Sequence, residues 1–208
     1  NLQRFTSVVN DHLQPWWFFV PVMLVAAMPF SPLLLLGLAR LPRQRLSPDQ
    51  SLHQFAGCWL LAVFLLFTVA ATKLPSYWLP ATPAAALLIS AAVGRRDRWL
   101  GVAWASTLMV VLLLAVGFWC APLWVPLITD PEMPTLAADL LASGLVLHAA
   151  GWFSLAVVLG LVAWRRTAVV RLLAVQLPLL CFHLASLIPI AELADQDRKS
   201  TRLNSSHQ

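Results

Sequence analysis

Charged residues are scarce in this chain. Asp, Glu, Lys and Arg make up 11% of its 208 residues, whereas hydrophobic residues make up 60%, and the mean hydropathy is +0.76. In a soluble domain, charged residues account for about a quarter of the chain. The composition therefore excludes a soluble globular domain and predicts a membrane protein with several spanning helices.

Cysteines are also few, and the three present, Cys58, Cys120 and Cys181, lie far apart. No Cys or His spacing along the chain matches a zinc or haem signature. The pattern gives no reason to expect disulfide or redox chemistry, and it predicts no metal ligand.

The two ends of the chain lack the features of a natural start and finish. The chain begins with Asn1, without a basic leader or a cleavage pattern. Residues 197–208 form a polar run, of which DRKSTRLNSSH at 197–207 back-translates to DNA that looks like a common sequencing adapter. We therefore expect an internal piece of a longer protein with an artefactual tail. Without its one Asp, two Arg and one Lys, the net charge falls from +5 to +3, which does not indicate a nucleic-acid partner.

Long apolar runs dominate what remains. A bilayer core is crossed by about 20 apolar residues of helix. Six runs reach or approach this length, at 16–38, 52–72, 78–93, 99–119, 140–164 and 168–190. We therefore predict an all-α, polytopic transmembrane bundle of about six helices over residues 16–190, after an extracytoplasmic segment 1–15. Prolines in the first and last runs predict kinks at Pro21, Pro29, Pro32 and Pro178.

Arginines alternate between the two sides of the predicted bundle. They follow the first, third and fifth runs, as Arg40, Arg43, Arg45, Arg95, Arg96, Arg98, Arg165, Arg166 and Arg171. Because basic loops stay in the cytoplasm, these loops are predicted to be internal. Arg4 and Lys73 are then on the opposite side, in a multi-pass protein of the plasma (inner) membrane.

The stretch KLPSYWLP at 73–80 interrupts the apolar sequence on that outer side. A short turn at membrane depth must pack in protein or line a wet cavity, and Pro75 and Pro80 stiffen it. Lys73 and Tyr77 could meet a lipid phosphate there. Alternatively, Lys73 extends to water and Tyr77 belongs to an interfacial aromatic belt.

Other polar residues leave similar alternatives open. Arg4 is a second candidate for a phosphate, because its guanidinium can bind two oxygens. Asp11 and His12 could form an acid/base pair or half a metal site, or belong to a solvated loop. His148 and His183 lie near mid-membrane, as functional groups or as neutral side chains bonded to a carbonyl of a neighbouring helix or to Gln176.

Three separated motifs give a resemblance to a known family. QRF at 3–5, HLQPWWFFVP at 12–21 and KLPSYWLPATPAAALL at 73–88 resemble, in this order, motifs of the polyprenyl-phosphate-sugar glycosyltransferases. In particular, they are similar to the lipid A aminoarabinose transferase and protein mannosyltransferase family of the glycosyltransferase C superfamily. The resemblance covers about residues 2–94.

The resemblance implies transfer of a sugar from a polyprenyl-phosphate carrier to a lipid A-like or protein acceptor at the extracytoplasmic face. It implies that Lys73, Tyr77 and Arg4 bind the donor's lipid phosphate, and that the cavity is framed by Trp16, Trp17, Phe18 and Phe19. The family's catalytic acidic residues lie upstream of this chain. No catalytic residue or metal ligand is therefore expected here, any divalent metal would belong to the full-length parent, and this segment alone should be inactive.

Two other classes of function are compatible with the hydropathy. A transporter or flippase subunit would also use kinked helices and intramembrane histidines, but it predicts matched breaks in two related halves. No such pairing is visible in the sequence. A membrane scaffold would leave the three motifs without a role.

Overall fold

The computed structural model describes residues 15–41, 48–70, 73–94, 96–127 and 136–205. In these ranges no β-strand occurs, and the helices are α1 (Phe19–Ala26), α2 (Ser31–Ala39), α3 (Pro48–Val69), α4 (Thr82–Val93), α5 (Arg98–Trp119), α6 (Ala121–Trp124), α7 (Leu136–Ala142), α8 (Leu145–Val162) and α9 (Ala168–Ser205). Short 3-10 segments cover Pro75–Ala81, Val125–Leu127 and Ala163–Arg165. The described part contains five helices long and apolar enough to span a membrane, or six if the bent pair α1 and α2 counts as one. The predicted all-α bundle of about six spanning helices is confirmed.

The chain divides into two compact units, residues 1–107 and 108–208. The boundary falls inside α5, so the division needs no linker in the sequence. Each unit carries large apolar side chains on its surface, among them Leu65 and Val69 in the first and Leu113 and Val158 in the second. Such surfaces suit a hydrocarbon environment, in which exposed apolar groups cost nothing.

The first predicted span, 16–38, is not one helix. α1 and α2 meet at a bend of 115°, because Pro29 lacks an amide donor and its ring blocks the preceding turn. Pro32 lies in the first turn of α2, where a missing amide costs little. The Ser31 hydroxyl donates to the Leu24 carbonyl at 2.5 Å. A polar side chain thus satisfies a carbonyl that a continuous helix would have bonded.

Three other predicted boundaries also differ from the structure. The third span gains its first turns from the 3-10 segment, so that it covers residues Pro75–Val93. The run 140–164 is interrupted between α7 and α8, because Gly144 has a φ of 72°, a region that favours glycine. α9 continues beyond 190, so residues 197–205 are helical, while its apolar part is Ala168–Ser186.

The core of the first unit is built on alanines of α4. Ala84, Ala85 and Leu88 recur at helical spacing and are buried against Leu34 of α2 and Leu60 of α3. Small side chains let neighbouring backbones approach closely, which is the usual basis of helix packing in a membrane.

α2 and α4 approach each other closely at Gly37. A β-carbon placed on Gly37 would lie 2.8 Å from the carbonyl carbon of Leu88. The Gly37 carbonyl lies 2.9 Å from Nε2 of His53 on α3. Because a carbonyl can only accept, the imidazole donates this bond, and one backbone position joins three helices.

Arg40 connects two loops at one end of the first unit. It follows α2, and its guanidinium donates to the Ala92 carbonyl and to Oδ1 of Asp97, each at 2.5 Å. The loops after the first and third predicted spans are therefore at the same end, as the arginine alternation requires. The amide of Leu100 also donates to Asp97 at 2.9 Å, which caps the start of α5.

Asp97 should make the stability of the first unit depend on pH. The Leu100 amide and then the Arg40 guanidinium lower the pKa of Asp97 below its ordinary value of 3.8. The ionised form therefore stabilises the fold above pH 3.8, and this contribution is lost as the pH falls through the lowered pKa. Asp97→Asn should unfold more easily than the parent at pH 7, and the difference should close in acid.

Denaturation with sodium dodecyl sulfate, followed by circular dichroism at several pH values, measures this effect. In an Arg40→Ala background the effect of Asp97→Asn should shrink but persist, because the Leu100 amide still bonds the carboxylate. A difference that stays constant from neutral pH into acid would contradict the assignment.

Candidate functional site at the Lys73 end of the first unit

The KLPSYWLP stretch is the beginning of a helix. Leu74 is extended, with φ −122° and ψ 144°, the conformation that a following proline imposes. Pro75 then opens the 3-10 segment, the Tyr77 amide donates to the Leu74 carbonyl at 3.0 Å, and Trp78 is buried in the core. The sequence thus fixes where the chain turns after α3, with Lys73 before Pro75 and Tyr77 between Pro75 and Pro80.

Lys73 bonds to the C-terminal end of α3. Its side chain is 9% exposed, and Nζ donates to the Ala70 carbonyl at 2.9 Å. The last carbonyls of a helix have no intrahelical partner and carry partial negative charge, so they attract a cation. Free extension of Lys73 into bulk water is therefore not what the structure contains.

The ammonium of Lys73 has capacity left for a ligand. It offers three N–H donors, of which Ala70 takes one, and among the residues that the structure describes no carboxylate pairs with it. A buried cation without a counter-ion is costly. Lys73 is thus suited to an anionic group that arrives from outside the described part of the chain.

Tyr77 packs against an aromatic side chain of α3. Its ring centroid lies 4.9 Å from that of Phe67, which in turn lies 6.4 Å from that of Phe19. Phe18 meets Phe19 edge to face at 5.2 Å. We call these four residues, Phe18, Phe19, Phe67 and Tyr77, the aromatic row; it joins the WWFF and KLPSY motifs, which are more than fifty residues apart in the sequence.

The remaining predicted site residues are not brought into this row. Trp16 and Trp17 are 76% and 51% exposed, whereas Phe19 is 1% exposed. Arg4, like Asp11 and His12, lies outside the described residues. No ring contact among the described residues joins Trp16 or Trp17 to the aromatic row. Their predicted role in framing the cavity stays a prediction.

Phe67, near the end of α3, belongs to this site but did not emerge from the sequence, and Thr68 lies next to it in the chain. Phe67 links the two motifs, and Thr68 has a buried hydroxyl without a hydrogen-bond partner among the described residues. The only available signal was their position in the last turns of an apolar run that ends just before KLPSYWLP. Within one apolar run, sequence alone does not distinguish the side that faces a site.

Metal ligands and histidines of the described residues were the other candidates for a site. The described residues contain no group of three or more His, Cys, Asp or Glu side chains that could hold a metal ion. His183 uses Nδ1 to contact the Leu179 carbonyl of its own helix at 2.6 Å. This histidine is thus satisfied locally, by its own helix instead of a neighbouring one.

The fold and this site define a multi-pass α-helical membrane protein with a buried cation at one end of its first unit. Comparison with known proteins shows which membrane proteins this chain resembles. An undecaprenyl phosphate-alpha-4-amino-4-deoxy-L-arabinose arabinosyl transferase of Pseudomonas paraeruginosa is 34% identical over 98 residues, which are 47% of this chain and 17% of the relative.

Relatives of the same name occur in other bacteria. The protein of Erwinia tasmaniensis is 34% identical over 43% of this chain and 16% of its own length, and that of Edwardsiella ictaluri is 31% identical over 56% and 21%. The chain thus spans about a fifth or less of the length of these curated relatives. No family model matches it, and no solved structure matches it. The predicted family resemblance is confirmed: over about half its length, this chain is similar in sequence to these arabinosyl transferases.

Proposed function

We propose that this chain is a segment of an integral membrane glycosyltransferase that moves a sugar from a polyprenyl-phosphate carrier to a lipid A-like or protein acceptor. The reaction takes place at the extracytoplasmic face of the plasma (inner) membrane. The relatives' names, which specify an undecaprenyl phosphate-linked aminoarabinose, support the donor class. The observation that carries the proposal is the buried Lys73 ammonium with unused donors.

Lys73 binds the phosphate of the donor lipid. During transfer the bond between the anomeric carbon and a phosphate oxygen breaks, and the electron pair remains on the departing polyprenyl phosphate. The acceptor oxygen forms the new bond to the anomeric carbon and gives up its proton. An ammonium held in surroundings of low dielectric stabilises the negative charge that grows on the phosphate.

The aromatic row holds Tyr77 in place, and Tyr77 is the second residue proposed to contact the donor. Phe67 supports one face of the Tyr77 ring, so the phenol is fixed near the start of the third span, and its hydroxyl can donate to a phosphate or sugar oxygen. Phe18, Phe19 and the exposed Trp16 and Trp17 frame the side from which the lipid enters. Arg4, in the neighbouring outer segment, supplies a bidentate partner for the same phosphate.

The acceptor's proton is taken by a carboxylate that this chain does not contribute, since the resemblance assigns the catalytic acids to an upstream outer loop. We therefore assign no catalytic base here. By itself the segment binds without turning over, and any divalent metal belongs to the full-length parent.

Tyr77→Ala tests the proposal in the full-length parent. Transfer from undecaprenyl-phosphate aminoarabinose to extracted lipid A should fall by about tenfold, the loss expected for one or two hydrogen-bond or packing contacts at a site. Tyr77→Phe should keep the ring stacking on Phe67 and lose only the hydroxyl, giving a smaller decrease. Product formation is measured by mass spectrometry of the lipid fraction.

Phe55→Ala is the matched control, because Phe55 is an exposed aromatic residue at the other end of α3. It should leave transfer unchanged. Equal activity of Tyr77→Ala and the parent at limiting donor would contradict the role of Tyr77. Absence of any transfer in the parent with every polyprenyl-phosphate sugar would overturn the proposed reaction.

A further inference from the structure

The second unit carries a groove between α8 and α9 that plays no part in the proposed reaction. Its cavity of about 330 Å³ is lined by Leu159, Val162, Ala163, Arg166, Val170, Leu173, Ala174 and Leu177. All but one of these residues are apolar. The exception, Arg166, lies in the turn that joins the two helices.

The turn places Arg166 at one end of the groove, and Arg165 is next to it in the chain. Arg165 and Arg166 are exposed, and their guanidinium groups have no ion-pair partner among the described residues. The Arg166 carbonyl accepts a bond from Nε of Arg171 at 3.1 Å, so a third arginine fixes the shape of the turn. The sequence contains no Asp or Glu between residues 140 and 191. Positive charge at this end is therefore not balanced by the two helices.

The apolar part of the groove follows α9 away from these arginines. From Val170 to Leu177 the helix rises by about 10 Å, which matches the length of eight or so methylene groups of an extended acyl chain. Leu173 and Leu177 are 46% and 51% exposed there. Trp164, next to the arginines, is partly exposed, as expected for a side chain at the membrane interface.

We propose that this groove binds an anionic phospholipid of the inner leaflet. The negatively charged phosphate lies against Arg165 and Arg166, and one acyl chain occupies the groove down to Leu177. Basic pockets between helices on the cytoplasmic side are sites of this kind, and positive loops mark that side. A free phosphate would leave the apolar groove unfilled, and a zwitterionic lipid would forgo the net charge.

Native mass spectrometry of the full chain released from mixed micelles tests this site. The probes are dioleoylphosphatidylglycerol and dioleoylphosphatidylcholine, added at equal concentrations. We expect phosphatidylglycerol to bind the parent in preference to phosphatidylcholine. The double substitution Arg165→Gln, Arg166→Gln should weaken phosphatidylglycerol binding about 25-fold, since each arginine near a lipid surface contributes about fivefold.

Matched controls separate the charge from the groove. Arg96→Gln with Arg98→Gln removes two arginines from another predicted inner loop and should leave the tight phosphatidylglycerol site intact. Ala174→Phe fills the groove without changing charge and should also weaken binding, whereas Ala185→Phe, at an exposed position of the same helix outside the groove, should not. Circular dichroism of each variant verifies its helicity.

Three results would overturn the proposal. Equal losses in the two double-arginine variants would mean general attraction to basic loops. Normal binding in Ala174→Phe would mean that no acyl chain occupies the groove. Equal retention of the two lipids by the parent would exclude selection for the anionic head group.

Discussion

Lys73→Ala is expected to lower sugar transfer by the full-length parent by about 100-fold, within the range for removing one charge-stabilising donor from a site. The ammonium is buried and bonded to Ala70, and in the reaction proposed above its two other N–H groups bind the departing phosphate. Alanine leaves that phosphate without a counter-ion in surroundings of low dielectric. Initial rates with undecaprenyl-phosphate aminoarabinose, in membranes of equal protein content, measure the change.

Lys73 also bonds the end of α3, so the charge must be separated from this structural bond. Lys73→Gln keeps an N–H donor that can reach the Ala70 carbonyl and removes only the charge, and it should lose nearly as much transfer as alanine. Lys73→Arg should retain part of the activity, because charge and donors remain while the geometry changes. Arg96→Ala removes one positive charge elsewhere and should have no effect. Full activity in Lys73→Gln would rule out a role for the charge.

Gly37→Ala is expected to give the largest loss of stability in the first unit. The new β-carbon would lie 2.8 Å from the carbonyl carbon of Leu88, and a backbone atom cannot move aside as a side chain can. Overpacking of this kind costs about 1–3 kcal/mol in free energy of unfolding. α2 must then move away from α4, which also strains the bonds from Arg40 to Ala92 and Asp97 one turn later.

Gly101→Ala is the matched control, since a β-carbon on Gly101 meets no atom within 4 Å. Alanine is the better helix former, so this variant should be as stable as the parent or slightly more. Loss of helical circular dichroism during titration with sodium dodecyl sulfate compares the two variants. Equal midpoints would show that the contact between α2 and α4 is loose enough to absorb a methyl group.

Several features of the fold were predictable from particular residues. The run 99–119 corresponds to α5 within one residue, because an uninterrupted apolar run of this length has one stable arrangement in a bilayer. Pro29 marked the bend between α1 and α2. Gly144 did not predict the break before α8, because a glycine inside an apolar run is as compatible with a helix as with a positive φ.

The candidate site was predictable only in part. Lys73 and Tyr77 stood out, because a cation and a phenol interrupt apolar sequence in a short stretch that also contains Pro75 and Pro80. Phe67 did not, since it lies in a long apolar run in which the sequence does not mark the side that faces the site. Arg166 was assigned to a cytoplasmic loop on charge alone, and nothing in the sequence connected it with Leu173 and Leu177.

The sequence by itself determined the class of protein, the number of spanning helices and the ends at which arginines collect. These follow from the thickness of a bilayer and from the cost of placing charge inside it, and both depend only on the order of residue types. The tertiary structure alone decided that Lys73 turns back to Ala70, that Tyr77 stacks on Phe67, and that Gly37 meets Leu88. Such contacts depend on how each helix is rotated about its axis, and a helix that is apolar all round does not encode that rotation in its own residues.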